Sequence, residues 1–219
     1  MLFPKVCRVC GRELVNGERK LCLHCVGAIP LWSASAEELR AHRFPRTAPV
    51  DVVLPWMTYS NTDPVCALIR NGKFNDRPEL IEELGCRYAD WLVAGKRIAG
   101  IDAIVPVPMH WWKRLLRGYN QAEIIARCVS DASGIPVVNA LKAVRPHAVQ
   151  SRKSGEQRAA NVAGIFALRD DDVIPKGKRI ALVDDILTTG STLSEAIRAL
   201  AAASPSSITV LTLAATRIL

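Results

Sequence analysis

The chain has 219 residues, of which 49% are apolar and 23% charged. That suits one well-buried domain with a small appendage and excludes the disordered and fibrous classes. Lys and Arg number 29 against 21 Asp and Glu, a net charge of +8, which favours anionic partners such as phosphates, nucleic acid or acidic lipid. The first ten residues contain no apolar run of signal-peptide length, and the most apolar stretch, Ile208 to Ala215, is too short to cross a bilayer. The expectation is a cytoplasmic protein without membrane insertion.

Four of the seven cysteines form two Cys-x-x-Cys pairs, Cys7/Cys10 and Cys22/Cys25, while Cys66, Cys86 and Cys128 are scattered among apolar neighbours. An odd count in that distribution suits metal binding in a reducing compartment better than a disulfide framework. Eleven residues separate the pairs, and turn residues between them let two knuckles converge until four thiolates surround one ion at about 2.3 Å. Zn2+ is the expected ion, with a structural role, because a segment this small has no core of its own. A redox pair is the competing reading. His24 is a bystander where four thiolates are available.

From Leu31 the pattern is irregular, with a short helical candidate at Ala36 to His42 and then the proline-broken Arg43-Phe44-Pro45-Arg46, read as a linker. Residues 1–48 are thus expected to form the cysteine module and linker, and 49–219 the main domain. Within the latter, Val50 to Tyr59 reads as a strand, Asp63 to Arg70 as a helix capped by Asp63, and Glu79 to Val93 as an amphipathic helix stopped by Gly95. Ile101 to Val105, Asn120 to Asp131 and Val137 to Val144 then read as strand, helix, strand, a βαβ unit. Ile165 to Leu168 is a further strand, Arg179 to Val183 a buried one, Leu193 to Ala203 a helix, and Ser207 to Ala215 the closing strand. The predicted class is α/β with a twisted, mostly parallel sheet and flanking helices.

The segment from Arg179 to Leu193 carries the most chemistry. An apolar strand delivers Asp184 and Asp185 at its C-terminal end, where open α/β sheets bind ligands, and Thr188-Thr189-Gly190-Ser191-Thr192 then turns into a helix. Gly190 allows close backbone approach, and the unpaired amides and dipole of the helix start attract a phosphate monoester, to which the four hydroxyls donate. The carboxylates need a neutral or cationic partner, and a sugar diol with Mg2+ nearby supplies one. The loop reads as a site for ribose 5-phosphate. The plainer alternative is a capped turn, since Thr192-Leu193-Ser194-Glu195 fits a capping box by itself.

Val183 to Thr192 resembles the phosphoribosyl-pyrophosphate (PRPP) signature of type I phosphoribosyltransferases, and together with the cysteine pairs the chain resembles the ComF family of competence-associated proteins. The resemblance implies a type I phosphoribosyltransferase-like fold with an N-terminal zinc ribbon. It also implies PRPP and Mg2+ binding through Asp184, Asp185, Thr188, Thr189, Gly190, Ser191 and Thr192.

The resemblance extends to Val105-Pro106-Val107-Pro108 and Arg117-Gly118-Tyr119-Asn120-Gln121, where Lys113, Arg114 and Arg117 are expected to hold pyrophosphate; a basic solvated turn is the alternative. Gln157 to Phe166 resembles the family's flexible catalytic loop, with Arg158 as a catalytic cation. Leu68 to Phe74 resembles its Lys-Tyr segment with Phe74 in place of Tyr. Leu2 follows Met1, so a glutaminase cysteine is not expected.

Two functions follow. One is an enzyme that transfers ribose 5-phosphate from PRPP to an unidentified amine or base. The other is a nucleic-acid-associated factor that binds single-stranded DNA beside the competence machinery during DNA uptake, with a regulatory or vestigial PRPP site. For the second, Arg8, Arg12, Arg19, Lys20, Arg40, Arg43 and Arg46 supply charge, and Trp32 and Phe44 supply stacking surfaces.

Overall fold

The computed structural model describes residues 5–74, 77–144, 164–169, 174 and 176–217. In chain order they form α1 (Leu23–Gly27), α2 (Ala36–Arg43), β1 (Val50–Thr58), α3 (Pro64–Phe74), α4 (Pro78–Ala94), β2 (Ala103–Pro106), α5 (Trp111–Arg117) and α6 (Gln121–Ser133). There follow β3 (Leu141–Ala143), β4 (Phe166–Leu168), β5 (Arg179–Leu187), α7 (Ser191–Leu200) with a 3-10 turn at Ala201–Ala203, and β6 (Ser207–Ala215).

A four-stranded, all-parallel sheet in the order β1-β6-β5-β2 lies at the centre. All of β6 is buried, as expected of an inner strand covered on both faces, and Pro55 sits in β1, an edge strand where a missing N–H is tolerated. Side chains of β5 alternate between two cores. Ala181 and Val183 pack with Tyr88 and Leu84 of α4 and Ile125 and Val129 of α6. Ile180 and Leu182 pack with Leu39 of α2 and Leu193, Ile197 and Leu200 of α7. Tyr88 is wholly buried and donates its hydroxyl to the Leu54 carbonyl. Burial pushes its phenol well above the usual range.

Two expectations change. Residues read as a linker contribute to the sheet's core: Leu39 and Phe44 are buried against Val50 and Val53, because α2 places its few apolar side chains on one face. Nearby, Trp32 donates its amide to Trp56 O at 2.9 Å and Thr58 to Pro30 O at 2.7 Å. The expected βαβ unit closes through a single bridge and not through a full strand. Val137 makes one parallel bridge to Ile104, and β3 then pairs antiparallel with β4 in a separate two-stranded sheet, leaving β2 at the edge of the parallel one.

Candidate functional site

β5 runs two residues past the acidic pair, with Asp184 opposite Thr212 and Leu187 opposite Ala215. Asp185 is buried and Asp184 half-buried, and the Asp185 amide donates to Asp184 Oδ1 at 2.8 Å. The chain turns through exposed Thr188 and Thr189 to buried Gly190, which begins α7 with φ 83°. A Cβ at Gly190 would lie 2.9 Å from the carbonyl oxygen of Arg43, so glycine is needed here for both conformation and space.

Thr189 Oγ1 lies 2.9 Å from Ser191 Oγ and accepts from the Ser191 amide at 3.4 Å. The capping box does not form. α7 starts at Ser191 with Gly190 as its cap, and Glu195 instead accepts from the Gly164 amide at 2.7 Å and from Arg198 at 3.0 Å. A helix start capped by glycine leaves first-turn amides facing the loop, where they favour an anion.

The basic segment reaches this edge through β2. The Val107 amide donates to Val183 O at 2.9 Å. His110 caps α5, and Asn120 caps α6 by accepting from the Ala122 amide at 3.1 Å while its Nδ2 donates to Val107 O at 3.0 Å. Arg117 is half-buried, bonds Gln121 Oε1 at 3.0 Å, and interacts electrostatically with Asp185. Burial lowers its guanidinium from the usual arginine range, and Asp185 opposes that shift. Arg114 pairs with Glu123 at 3.0 Å. The Lys113 side chain and all of Arg158 lie outside the described residues.

The four cysteine sulfurs lie within 4.8 Å of one another, with Cys7, Cys22 and Cys25 buried and Cys10 exposed. The Cys22 amide donates to Cys7 Sγ and the Cys25 amide to Cys22 Sγ, both at 3.4 Å. Burial raises the Cys7 thiol, but amides of Cys10, Cys22 and Val9 outweigh it and bring it down to about 6. The Cys25 amide lowers Cys22, while burial and the neighbouring sulfurs raise Cys25. Such a set can hold one metal ion.

The stacking surfaces expected for nucleic acid are not where they were placed. Phe44 is only 3% exposed and cannot stack, and Trp32 is half-buried with its ring nitrogen enclosed. Arg12 pairs with Glu18 at 2.6 Å, and Arg40 donates to Val50 O at 2.5 Å. The exposed tryptophans are Trp111 and Trp112 on α5, at 64% and 52%. Their spacing with Leu115 and Leu116 was a visible signal, since those four positions share one helical face opposite Lys113, Arg114 and Arg117.

The inner strand of a parallel sheet here carries an acidic pair into a hydroxyl-and-glycine loop, and residues 115–218 match the phosphoribosyl transferase domain family. The chain is a homologue of proteins named for competence and DNA utilisation. It is 38% identical to competence protein F of Haemophilus influenzae over 43% of this chain and 42% of that protein. It is 33% identical to competence protein ComFC of Bacillus subtilis over 49% and 43%, and 27% identical to DNA utilization protein YhgH of Salmonella typhimurium over 87% and 81%. The alignments span less than half the length of the two competence proteins. Among the described residues no helix is long and apolar enough to cross a membrane.

Proposed function

We propose that this chain binds PRPP with Mg2+ and carries out phosphoribosyl transfer to an acceptor. The observation that carries the reading is the acidic pair near the end of β5, followed within five residues by the glycine-capped start of α7. The amides of Gly190 to Thr192 and the hydroxyls of Thr188, Thr189, Ser191 and Thr192 hold the 5-phosphate. Asp184 and Asp185 accept hydrogen bonds from the ribose diol. Bound Mg2+ neutralises pyrophosphate oxygens, and carboxylate oxygens are suitable hard ligands for it. In the transfer the bond from C1 to the pyrophosphate oxygen breaks and a bond from C1 to the acceptor forms. Lys113, Arg114, Arg117 and Arg158 are the proposed cations for the departing charge. Of these, Arg117 has the strongest support, through its electrostatic interaction with Asp185.

The cysteine cluster is read as a structural Zn2+ site held by Cys7, Cys10, Cys22 and Cys25, carried by residues 1–48, with the transferase domain over 49–219. Tetrahedral thiolate coordination at about 2.3 Å puts sulfurs about 3.8 Å apart, and Cys10 and Cys22 lie 3.7 Å apart. The reducing environment such thiolates need fits a cytoplasmic location.

The test is thermal: PRPP with Mg2+ is expected to raise the melting temperature, and Asp184→Asn with Asp185→Asn to abolish the rise. An equal rise in the double variant would remove these carboxylates from the site. A second reading, single-stranded DNA handling with the competence machinery, draws on the names of the relatives and on the exposed Trp111 and Trp112 beside a basic segment. Binding is then expected to fall steeply with salt, and Trp111→Ala with Trp112→Ala to weaken it by about 1–3 kcal/mol per stacked base. Salt-insensitive binding, or none at low salt, contradicts this second reading.

A further inference from the structure

Arg43, at the end of α2, is in contact with the phosphate loop from far away in sequence. Its Nη2 donates to Thr216 O at 3.0 Å, Thr216 Oγ1 at 3.1 Å and Arg217 O at 3.2 Å. Thr216 bonds both sides of the β5 exit, its amide to Leu187 O at 3.0 Å and its hydroxyl to Thr188 O at 3.5 Å. The Arg43 backbone meets the loop at a second point, where its carbonyl leaves no room for a Cβ on Gly190. Two features make this more than packing. Arg43 Nε is buried without a hydrogen-bond partner, and no carboxylate among the described residues forms an ion pair with the guanidinium. A half-buried cation whose hydrogen bonds go only to neutral oxygens is uncompensated, and burial lowers it from the usual arginine range. It stands behind a loop built to receive an anion.

We propose that Arg43 is a positioning residue of the phosphate loop: it fixes the Thr188 to Gly190 turn through Thr216 and its own backbone, and its charge is balanced when a phosphate monoester occupies the loop. The proposal rests on the reading of that loop as the 5-phosphate site. It makes the segment before β1 part of the binding machinery, acting through the loop without touching the reacting atoms.

The experiment is calorimetric titration of the full chain with ribose 5-phosphate, inorganic pyrophosphate and PRPP, each with Mg2+. Arg43→Met is expected to weaken ribose 5-phosphate and PRPP on the order of tenfold, the usual scale for a group supporting a binding group, and to leave pyrophosphate unchanged. Arg43→Lys, which keeps the charge and loses the fork, is expected to recover part of the loss. Thr216→Val, which removes one acceptor and the link to Thr188, shifts the same two ligands in the same direction and serves if Arg43→Met does not fold. A merely structural role predicts that all three ligands weaken together with stability, and that result overturns the proposal. Unchanged ribose 5-phosphate affinity in the variants also overturns it. Failure of the unsubstituted chain to bind either ribose compound overturns the reading of the loop and this inference with it.

Discussion

At Gly190 two independent constraints meet: a φ of 83° and the Arg43 carbonyl 2.9 Å from where a Cβ would stand. Gly190→Ala is therefore expected to destabilise the fold by about 1–3 kcal/mol, measured by denaturant midpoint, and to weaken PRPP binding. Unchanged stability would show that the turn relaxes without loss. The sequence shows Gly190 clearly, because glycine among hydroxyl residues before a helix has one common use. It does not show why no other residue fits, since Arg43, whose carbonyl fills the space, lies far away in sequence and nothing local in either residue marks the contact. Phe44 is the converse case: an aromatic in a basic connector looks like a stacking surface until its burial against β1 is known.

Elements were legible where periodicity is strong and local. The helix expected at Glu79 to Val93 is α4, and the closing strand at Ser207 to Ala215 is β6, since a full apolar face or a run of Val, Leu and Thr fits only one structure. Pairing was not legible. Val137 and Val138 stay with β2, whereas Leu141 to Ala143 pair with β4; strand-forming side chains suit either partner, and the change of partner within one predicted strand is a non-local choice. The strand through Asp184 and Asp185 was underestimated because carboxylates look like an end, whereas Ile186 and Leu187 still pair with β6. At the basic segment, Asn120 both caps α6 and binds Val107 O. Asn120→Ala is expected to cost about 1–2 kcal/mol and to weaken pyrophosphate binding, because Arg117 and Gln121 flank it. A calorimetric titration showing intact pyrophosphate affinity would separate Arg117 from the cap.

Across the whole molecule, the cysteine module does not stand apart from the sheet. Cys7, Leu21, Cys22, Cys25 and Ile29 share a buried cluster with Trp56 and Met57 of β1, so the module's order and the edge of the sheet are coupled. Metal removal by a chelator is expected to lower the main melting transition and not only a separate early one, and Leu21→Ala, at a fully buried position, to lower it by about 2–5 kcal/mol of stability. A main transition insensitive to chelation would mean that the cluster contributes nothing to the sheet. The four-cysteine cluster was legible as a pair of Cys-x-x-Cys motifs, but its shared core with β1 was not, because short segments take their apolar partners from elsewhere in the chain.

Whether the end of β5 holds the ribose and the loop after it the 5-phosphate is decided by a crystal structure of the chain with PRPP and Mg2+. The 5-phosphate is expected on the amides of Gly190 to Thr192, the ribose hydroxyls on Asp184 and Asp185, and the pyrophosphate toward Arg117. PRPP bound elsewhere, or the acidic pair left without contact to the sugar, would contradict this placement.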